Sequence, residues 1–393
     1  MAGLLNRKAQ IALKIESVEG TEEVLAAADA AMLVYDPTYT PDIAKFVRNP
    51  ARSKLTPLGS VSGQRSAAIS WRTELKGSGA LTATSYPSWD SALRACGFTR
   101  NAVSGASVST IVGTFVPGET ITGGTSGATA RVVSEWSGAA GEIRFVPTSG
   151  ATVFVASDGL VGSVSGATCH ISGLTADEKG FEYRPTSANV PSATVGLYMD
   201  GLKHPIRGAR GTVAIEATIG EPAFLNFTFS GVYSAVTAAA LLSGISYEDV
   251  TPKAFLCVEL NISGFTPVFA SCTLDIANSV EGRSDANDCS GFKSFIIPER
   301  APTGSLDPEM ELPSTHDFYA LLLANTTKRL HYKLDDPDAT PAAGEIISVS
   351  APKFEYNAVG KGDRAGVQIA EVEINLVAAD VSGGDDELVI AML

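Results

Sequence analysis

The chain is poor in charge, poorer still in positive charge, and has no stretch that could cross a membrane as a helix. Only 18% of its 393 residues are Asp, Glu, Lys or Arg, against 45% hydrophobic ones. A surface so thinly charged is one that neighbouring molecules are expected to cover. Lys and Arg number 29 and acidic residues 43, a formal charge of −14. This speaks against clustered cations that neutralise phosphate. It is compatible with a surface past which nucleic acid slides without sticking. No apolar run approaches the roughly 20 residues of a membrane helix, so no membrane partner is expected. The N-terminal MAGLLNRKAQIALKIE lacks the apolar core and cleavage site of a signal peptide. The five cysteines, Cys96, Cys169, Cys257, Cys272 and Cys289, are scattered without a CxxC or Cys/His cluster. Neither a disulfide framework nor a zinc site is indicated, and a reducing compartment is expected.

What the chain does contain is alternation. From Val213, the residues Val213, Ile215, Ala217 and Ile219 share one face, and Thr212, Ala214, Glu216 and Thr218 the other. That is the period of a half-buried strand. Gly220-Glu221-Pro222 breaks the run, and Leu225, Phe227 and Phe229 resume it. Residues 193–231 therefore read as three antiparallel strands, with turns supplied by Gly201, the Gly208–Gly211 loop and Gly220-Glu221-Pro222. Ile11, Leu13 and Ile15 form an earlier strand, and residues 66–75 another. Residues 24–33 are alanine-rich, with extended structure favoured over 30–35, and residues 36–63 read as a long proline-bearing loop. Ser88 caps a short helix carrying Trp89, Ala92, Leu93 and Cys96 at helical spacing, closed by Gly97. Later come a possible helix at 235–242, two β runs at 254–262 and 267–276, a loop at 277–308, a helix at 315–324, and strands at 330–334, 345–351 and 367–377.

Residues 99–182 differ in texture, being rich in Gly, Ser, Thr and Ala. FVPGETITGGTSGATA (115–130) returns as FVASDGLVGSVSGATC (154–169), a repeat displaced by 39 residues, so an inserted pair of small β units is expected. Outside it, the order of strand, long loop, extended segment, short helix and three strands occurs twice. The fold class expected is mainly β: two tandem sheet modules of sandwich or barrel type, each with a short helix, plus a small inserted β domain. The modules are 1–98 with 183–245, and 246–393. With 393 residues, more than one core is required. Each module alone would have exposed sheet edges; modules paired edge to edge in a ring would not, and three chains of two modules would close a six-module ring.

Several residues invite a chemical reading and sustain a plainer one. His170, His204, His316 and His331 lie far apart without an acidic or thiol partner at ligand spacing, so neither a triad nor a metal is expected. Asp335, Asp336 and Asp338 around Pro337 lack the Gly and closing Glu of a calcium loop; a solvated turn fits better, as it does for residues 284–290. Gly201-Leu202-Lys203, Arg207 and Arg210 are not followed by a strand–loop–helix context for phosphate, and a basic hairpin or an intersubunit contact fits better. Gly123, Gly124 and Gly127 serve a turn with no Walker lysine. Trp136 could stack on a sugar, but packing in a small β domain is simpler. No catalytic, cofactor-binding or metal residue is assigned, and no enzyme activity or cofactor is expected.

The segments GTEEVLAAADAAMLVYDPTYTPDI (20–43), GQRSAAISWRTELKGSG (63–79), PSWDSALRACGF (87–98), ATVGLYMDGLKHPIRGARG (193–211) and LNISGF (260–265) resemble tail tube proteins of long-tailed bacteriophages. The resemblance covers most of the chain outside 99–182, which a minimal tube protein lacks. It implies a virion structural subunit, assembled in the host cytoplasm into stacked rings whose inner β-barrel conducts DNA. The ring it implies is a trimer with pseudo-sixfold symmetry, with a hexamer as the alternative. The partners it implies are the chain itself, a tape measure protein, and tail terminator and distal tail proteins, with DNA passing through the lumen without specific binding. The competing expectation is a virion-surface β protein whose insert at 99–182 binds a host-surface glycan.

Overall fold

The computed structural model describes residues 5, 7–109, 111–134, 136–137, 141–150, 153–175, 179–335 and 344–393. The chain opens with β1 (Ala9–Ile15), a 3-10 turn (Ala27–Ala30), β2 (Tyr35–Phe46), β3 (Val61–Glu74), α1 (Asp90–Ala95) and β4 (Phe98–Ala102). Next come β5 (Ser104–Val108), β6 (Thr114–Phe115), β7 (Thr120–Gly123), β8 (Thr129–Val132), β9 (Trp136–Ser137), β10 (Gly141–Pro147), β11 (Gly159–Gly162) and β12 (Thr168–Thr175). After these lie β13 (Phe181–Pro185), β14 (Ala193–Met199), β15 (Gly201–Thr218), β16 (Phe224–Tyr233) and β17 (Thr237–Ala239). The last part holds β18 (Asn261–Ile262), β19 (Ser271–Asp275), β20 (Asn278–Ser284), β21 (Phe292–Arg300), β22 (Thr303–Leu306), α2 (Phe318–Leu323), β23 (Lys328–Leu334), β24 (Ile347–Arg364), β25 (Val367–Leu376) and β26 (Val389–Met392). The protein is mainly β.

The large sheet repeats one topology. Its first half runs β1–β14–β15–β16–β3–β2, and its second β18–β23–β24–β25–β22–β19, all antiparallel. A short strand adds to the start of each long one: β17 to β15, and β26 to β24. The residues correspond in register. Val195 opposes Ile206 as Leu330 opposes Ala351. Gly211 opposes Phe229 as Tyr356 opposes Ile374. A bulge between Tyr356 and Ala358 then adds one residue to β24, so that Val213 opposite Phe227 matches Val359 opposite Val372.

Two expected loops are hairpins instead. Residues 36–63 contain most of β2 and the start of β3, paired from Tyr35–Arg72 to Phe46–Val61. Pro37 and Pro41 mimic a loop in the sequence, yet Pro37 falls at a bulge and β2 has a partner only on its β3 side, where a missing N–H is tolerated. Residues 277–308 likewise form the β20–β21 hairpin and β22. Other differences follow from tertiary pairing. Gly208–Gly211 is no turn between strands but lies inside β15, where a bulge between Arg207 and Arg210 takes up the glycine. The possible helix at 235–242 is β17, because residues 237–239 pair with Gly201–Lys203. Of the β run at 254–262 only Asn261–Ile262 is strand, and residues 27–30 make a 3-10 turn. Ser88 does not cap α1; its Oγ donates to Glu248 Oε2 at 2.9 Å, and the cap position is Trp89. Gly97 does follow α1 with φ +85°. In α2 the cap is Asp317, whose carboxylate accepts from Ala320 N at 2.9 Å.

One core runs under both halves. Trp71 lies between Phe227 and Phe229, with ring centroids 5.4 and 5.2 Å away. Trp89 of α1 and Phe318 of α2 are fully buried against the same cluster, which continues through Leu274, Phe354 and Ile374. A second, smaller core fills a closed barrel of β10, β5, β12, β11, β7 and β8. The barrel stands on β4 and β13, which pair with each other, and β13 pairs in turn with β26 in the large sheet.

The 39-residue repeat is the symmetry of this barrel. The β7–β8 hairpin corresponds to β11–β12, and β7 pairs with β11 across the pseudo-twofold axis. Each copy supplies a buried carboxylate to the other copy's turn. Glu119 accepts from Val164 N, Ser165 N and Ser165 Oγ at 2.8–3.0 Å. Asp158 accepts from Thr125 N, Ser126 N and Ser126 Oγ at 2.6–3.0 Å. The Gly123–Gly127 segment is thus a turn wrapped around a protein carboxylate.

These bonds couple the barrel to pH. Burial alone would raise the Asp158 carboxyl, but hydrogen bonds from Ser126, Val155 and Thr125 outweigh it and hold the group at about 2, below the ~3.9 of an unfolded Asp. The ionised form therefore supports the fold fully above roughly pH 4, and the support is lost as pH falls through about 2. Limited pepsin digestion of the intact chain is expected to cut increasingly within 104–175 below that point. Asp158→Ala, which strands buried donors, is expected to destabilise the barrel by about 3 kcal/mol. Asp158→Asn should flatten the pH dependence; a variant that tracks the parent at every pH would refute the coupling.

Candidate assembly interface

The start of the long strand β15 is held by polar clasps. Glu16, 8% exposed, accepts from Ser192 Oγ at 2.6 Å, Thr194 Oγ1 at 3.0 Å, Gly208 N at 2.6 Å and Gly20 N at 2.7 Å. A buried carboxylate needs such donors, and here they tie β1, β14 and the bulge of β15 together. Gly208 has φ +57°, and a Cβ there would meet Ser294 at 3.0 Å. That close approach lets the β20–β21 hairpin of the second half lie on the first half. Arg207 bonds Asp288 at 2.8 Å and Arg210 bonds Glu19 at 2.9 Å, while Ser294 Oγ donates to Glu19 at 2.9 Å.

The two halves join by strand addition. Once β14 has left its side of β15, β19 takes the vacated edge, with Ala214–Asp275, Ile215–Leu274, Glu216–Thr273, Ala217–Cys272 and Thr218–Ser271 opposed. Ile276 N donates to the Val213 carbonyl at 3.2 Å and Ile219 N to that of Ala270 at 2.8 Å. Ile215 and Leu274 are buried at the seam. The ends of the sheet differ. β2 pairs only with β3, and β24 beyond Phe354 pairs only with β25, so each has one edge without a strand among the described residues. The tip beyond β2 also bears exposed apolar side chains: Phe46 at 70%, Val47 at 68% and Val61 at 51%.

The face opposite the core is polar across the seam. One transverse row reads Arg72, Asn226, Ala214, Asp275, Thr303, Asn375 and Glu355. The next reads Phe224, Glu216, Thr273, Ser305, Glu373 and Ala358. Glu216 accepts from Asn226 Nδ2 at 2.9 Å, and Asn375 Nδ2 donates to Asn357 at 3.3 Å. Burial raises the Asp275 carboxyl above its usual range. Except for Arg72, which pairs with Asp36 at 3.0 Å, these two rows carry no cation.

The residues singled out in the sequence are dispersed. His170 lies in β12. His204 lies on β15 beside Tyr39, ring centroids 4.7 Å apart. His316 stacks on Phe265 at 4.1 Å and bonds Tyr356 Oη at 3.0 Å, and His331 is in β23. Among the described residues no three His, Cys, Asp or Glu converge as a metal site. Asp335 pairs with Lys333 at 2.7 Å; Asp336, Pro337 and Asp338 lie outside the described residues, as does the Trp136 side chain. Residues 284–290 form the tip of the β20–β21 hairpin. Arg207 and Arg210 serve the contact between the halves, and Lys203 pairs with Glu22 at 3.2 Å. The edge strand β2 escaped the sequence reading, although Tyr39, Ile43 and the hairpin partner alternation in 66–74 could have flagged it.

No curated protein matches the chain. A family model described as "Phage tail tube protein" matches residues 6–378, spanning both halves of the sheet and the barrel between them. The chain belongs to the phage tail tube protein family, a structural component of the phage tail.

Proposed function

We propose that the chain is the repeating subunit of a hollow tail tube, in which three copies close a ring of six sheet modules and rings stack along an axis. The observation that carries this reading is the duplicated module with one internal seam and two open end edges. A heterologous contact that repeats by rotation closes into a ring, and closure removes the edges. A ring of six chains uses the same contacts with a larger radius. The polar rows then face the lumen. Apart from Arg72 these rows offer phosphate no cation, and the negative field of their carboxylates keeps DNA mobile. Assembly in the host cytoplasm, a tape measure protein within the lumen, and tail terminator and distal tail proteins at the ends complete the proposal. The 104–175 barrel, carried on the β4–β13 stem, decorates the outside.

Purified chain is expected to form rings or tubes with threefold or pseudo-sixfold averages in negative-stain microscopy. A monodisperse monomer at high concentration, absent from purified virions, is the contrary result. Because Ala102 and Phe181 oppose each other in the stem, replacing residues 103–180 by a two-residue turn should leave assembly intact. Loss of host attachment with intact tubes would assign a glycan-binding role to the barrel. Glu216→Lys combined with Glu373→Lys should leave tubes intact yet slow genome ejection several-fold, with recovery at high salt; unchanged ejection kinetics would place this face elsewhere than the lumen.

A further inference from the structure

The internal seam specifies the pairing between chains. We infer that β24 of one chain adds to β2 of the next with Lys361 opposite Tyr39, Gly360 opposite Thr40 and Gly362 opposite Thr38. The inference rests on the ring reading and deepens it.

The correspondence follows from the two copies of the sheet. Val213 matches Val359, so Ile215 matches Lys361. Phe227 and Val372 oppose Trp71 and Leu306, so β3 and β22 superpose with Ile69 matching Gly304. Ile69 opposes Tyr39, and Gly304 opposes Leu274; Tyr39 therefore matches Leu274. The seam inside the chain opposes Ile215 to Leu274. Carried over to the open edges, it opposes Lys361 to Tyr39.

Independent features agree with this register. The Tyr39 hydroxyl is buried without a hydrogen-bond partner, and burial pushes its phenol up to about 12. Lys361, which is exposed and has no ion pair among the described residues, arrives on the same face and can donate to that oxygen. Pro352 and Lys353 match Arg207 and Gly208, where the second hairpin seats on the first half. They line a groove of about 680 Å³, which a neighbour's β2–β3 hairpin, with Phe46 and Val47 exposed, would enter in the same manner. Pro41 takes the place of Ile276 and cannot repeat its bond to Val213, so the pairing is carried by the residues before it. A proline on this edge also discourages indiscriminate strand addition.

In the seam, Ile276 and Ile219 bond directly across, so the alternate pairs, including Ala214–Asp275, are the closely spaced, non-hydrogen-bonded kind. Thr40–Gly360 and Thr38–Gly362 inherit that geometry, which suits a disulfide. The test uses full-length chain with the exposed Cys257 and Cys289 changed to Ser, assembled and then mildly oxidised. Thr40→Cys with Gly360→Cys is expected to give covalent closed oligomers on non-reducing gels in high yield. Thr38→Cys with Gly362→Cys provides a second in-register pair. Thr38→Cys with Gly360→Cys, two residues out of register, should stay monomeric under denaturing conditions. Rings visible by microscopy in which neither in-register pair links, or in which the offset pair links instead, overturn the register while leaving the ring. Failure of the Cys257→Ser, Cys289→Ser parent to assemble, with the unmodified chain also monomeric, overturns both.

Discussion

The architecture depends on the need of every strand edge to find a partner. A backbone N–H or carbonyl removed from water without a hydrogen bond costs more than most side-chain contacts return. Inside the chain this need is met at one place by β19 lying along β15, and the same seam buries Ile215 against Leu274. The two long strands extend beyond their first neighbours, β14 and β23, and thereby create the edge on which another module can add. A module that stopped where β14 stops would leave nothing to pair.

The duplicated halves have diverged around that shared constraint. The first hairpin, β2–β3, projects with an exposed apolar tip, whereas the second lies on its own chain and is held there by Arg207–Asp288 and by Ser294 on Glu19. The basic residues that might have suggested phosphate binding are used to hold two sheets in register. The inserted barrel follows another economy. Its two copies exchange buried carboxylates, Glu119 and Asp158, so that each half of a small core is pinned by the other. Its stem strands β4 and β13 continue into the large sheet, so an insertion of this size adds to the fold without interrupting it.

The sequence by itself determined the strands whose faces alternate cleanly. Residues 193–231 contain β14, β15 and most of β16, because Val213, Ile215, Leu225, Phe227 and Phe229 have to share one buried side. The 39-residue repeat and the short helices around Trp89 and Phe318 were legible for similar reasons, as was the mainly β character. Only the tertiary structure decided the rest. Pro37 and Pro41 make β2 look like a loop until its edge position is seen, and the alanines of 237–239 favour a helix until β15 offers them a ladder. β26 is too short and too uniformly apolar to declare a period. The seam between Ile215 and Leu274 joins residues far apart in sequence, and local pattern carries no record of which distant edge a strand will meet. That choice is made by complementary backbone edges and a shared core, which exist only once the sheet is built.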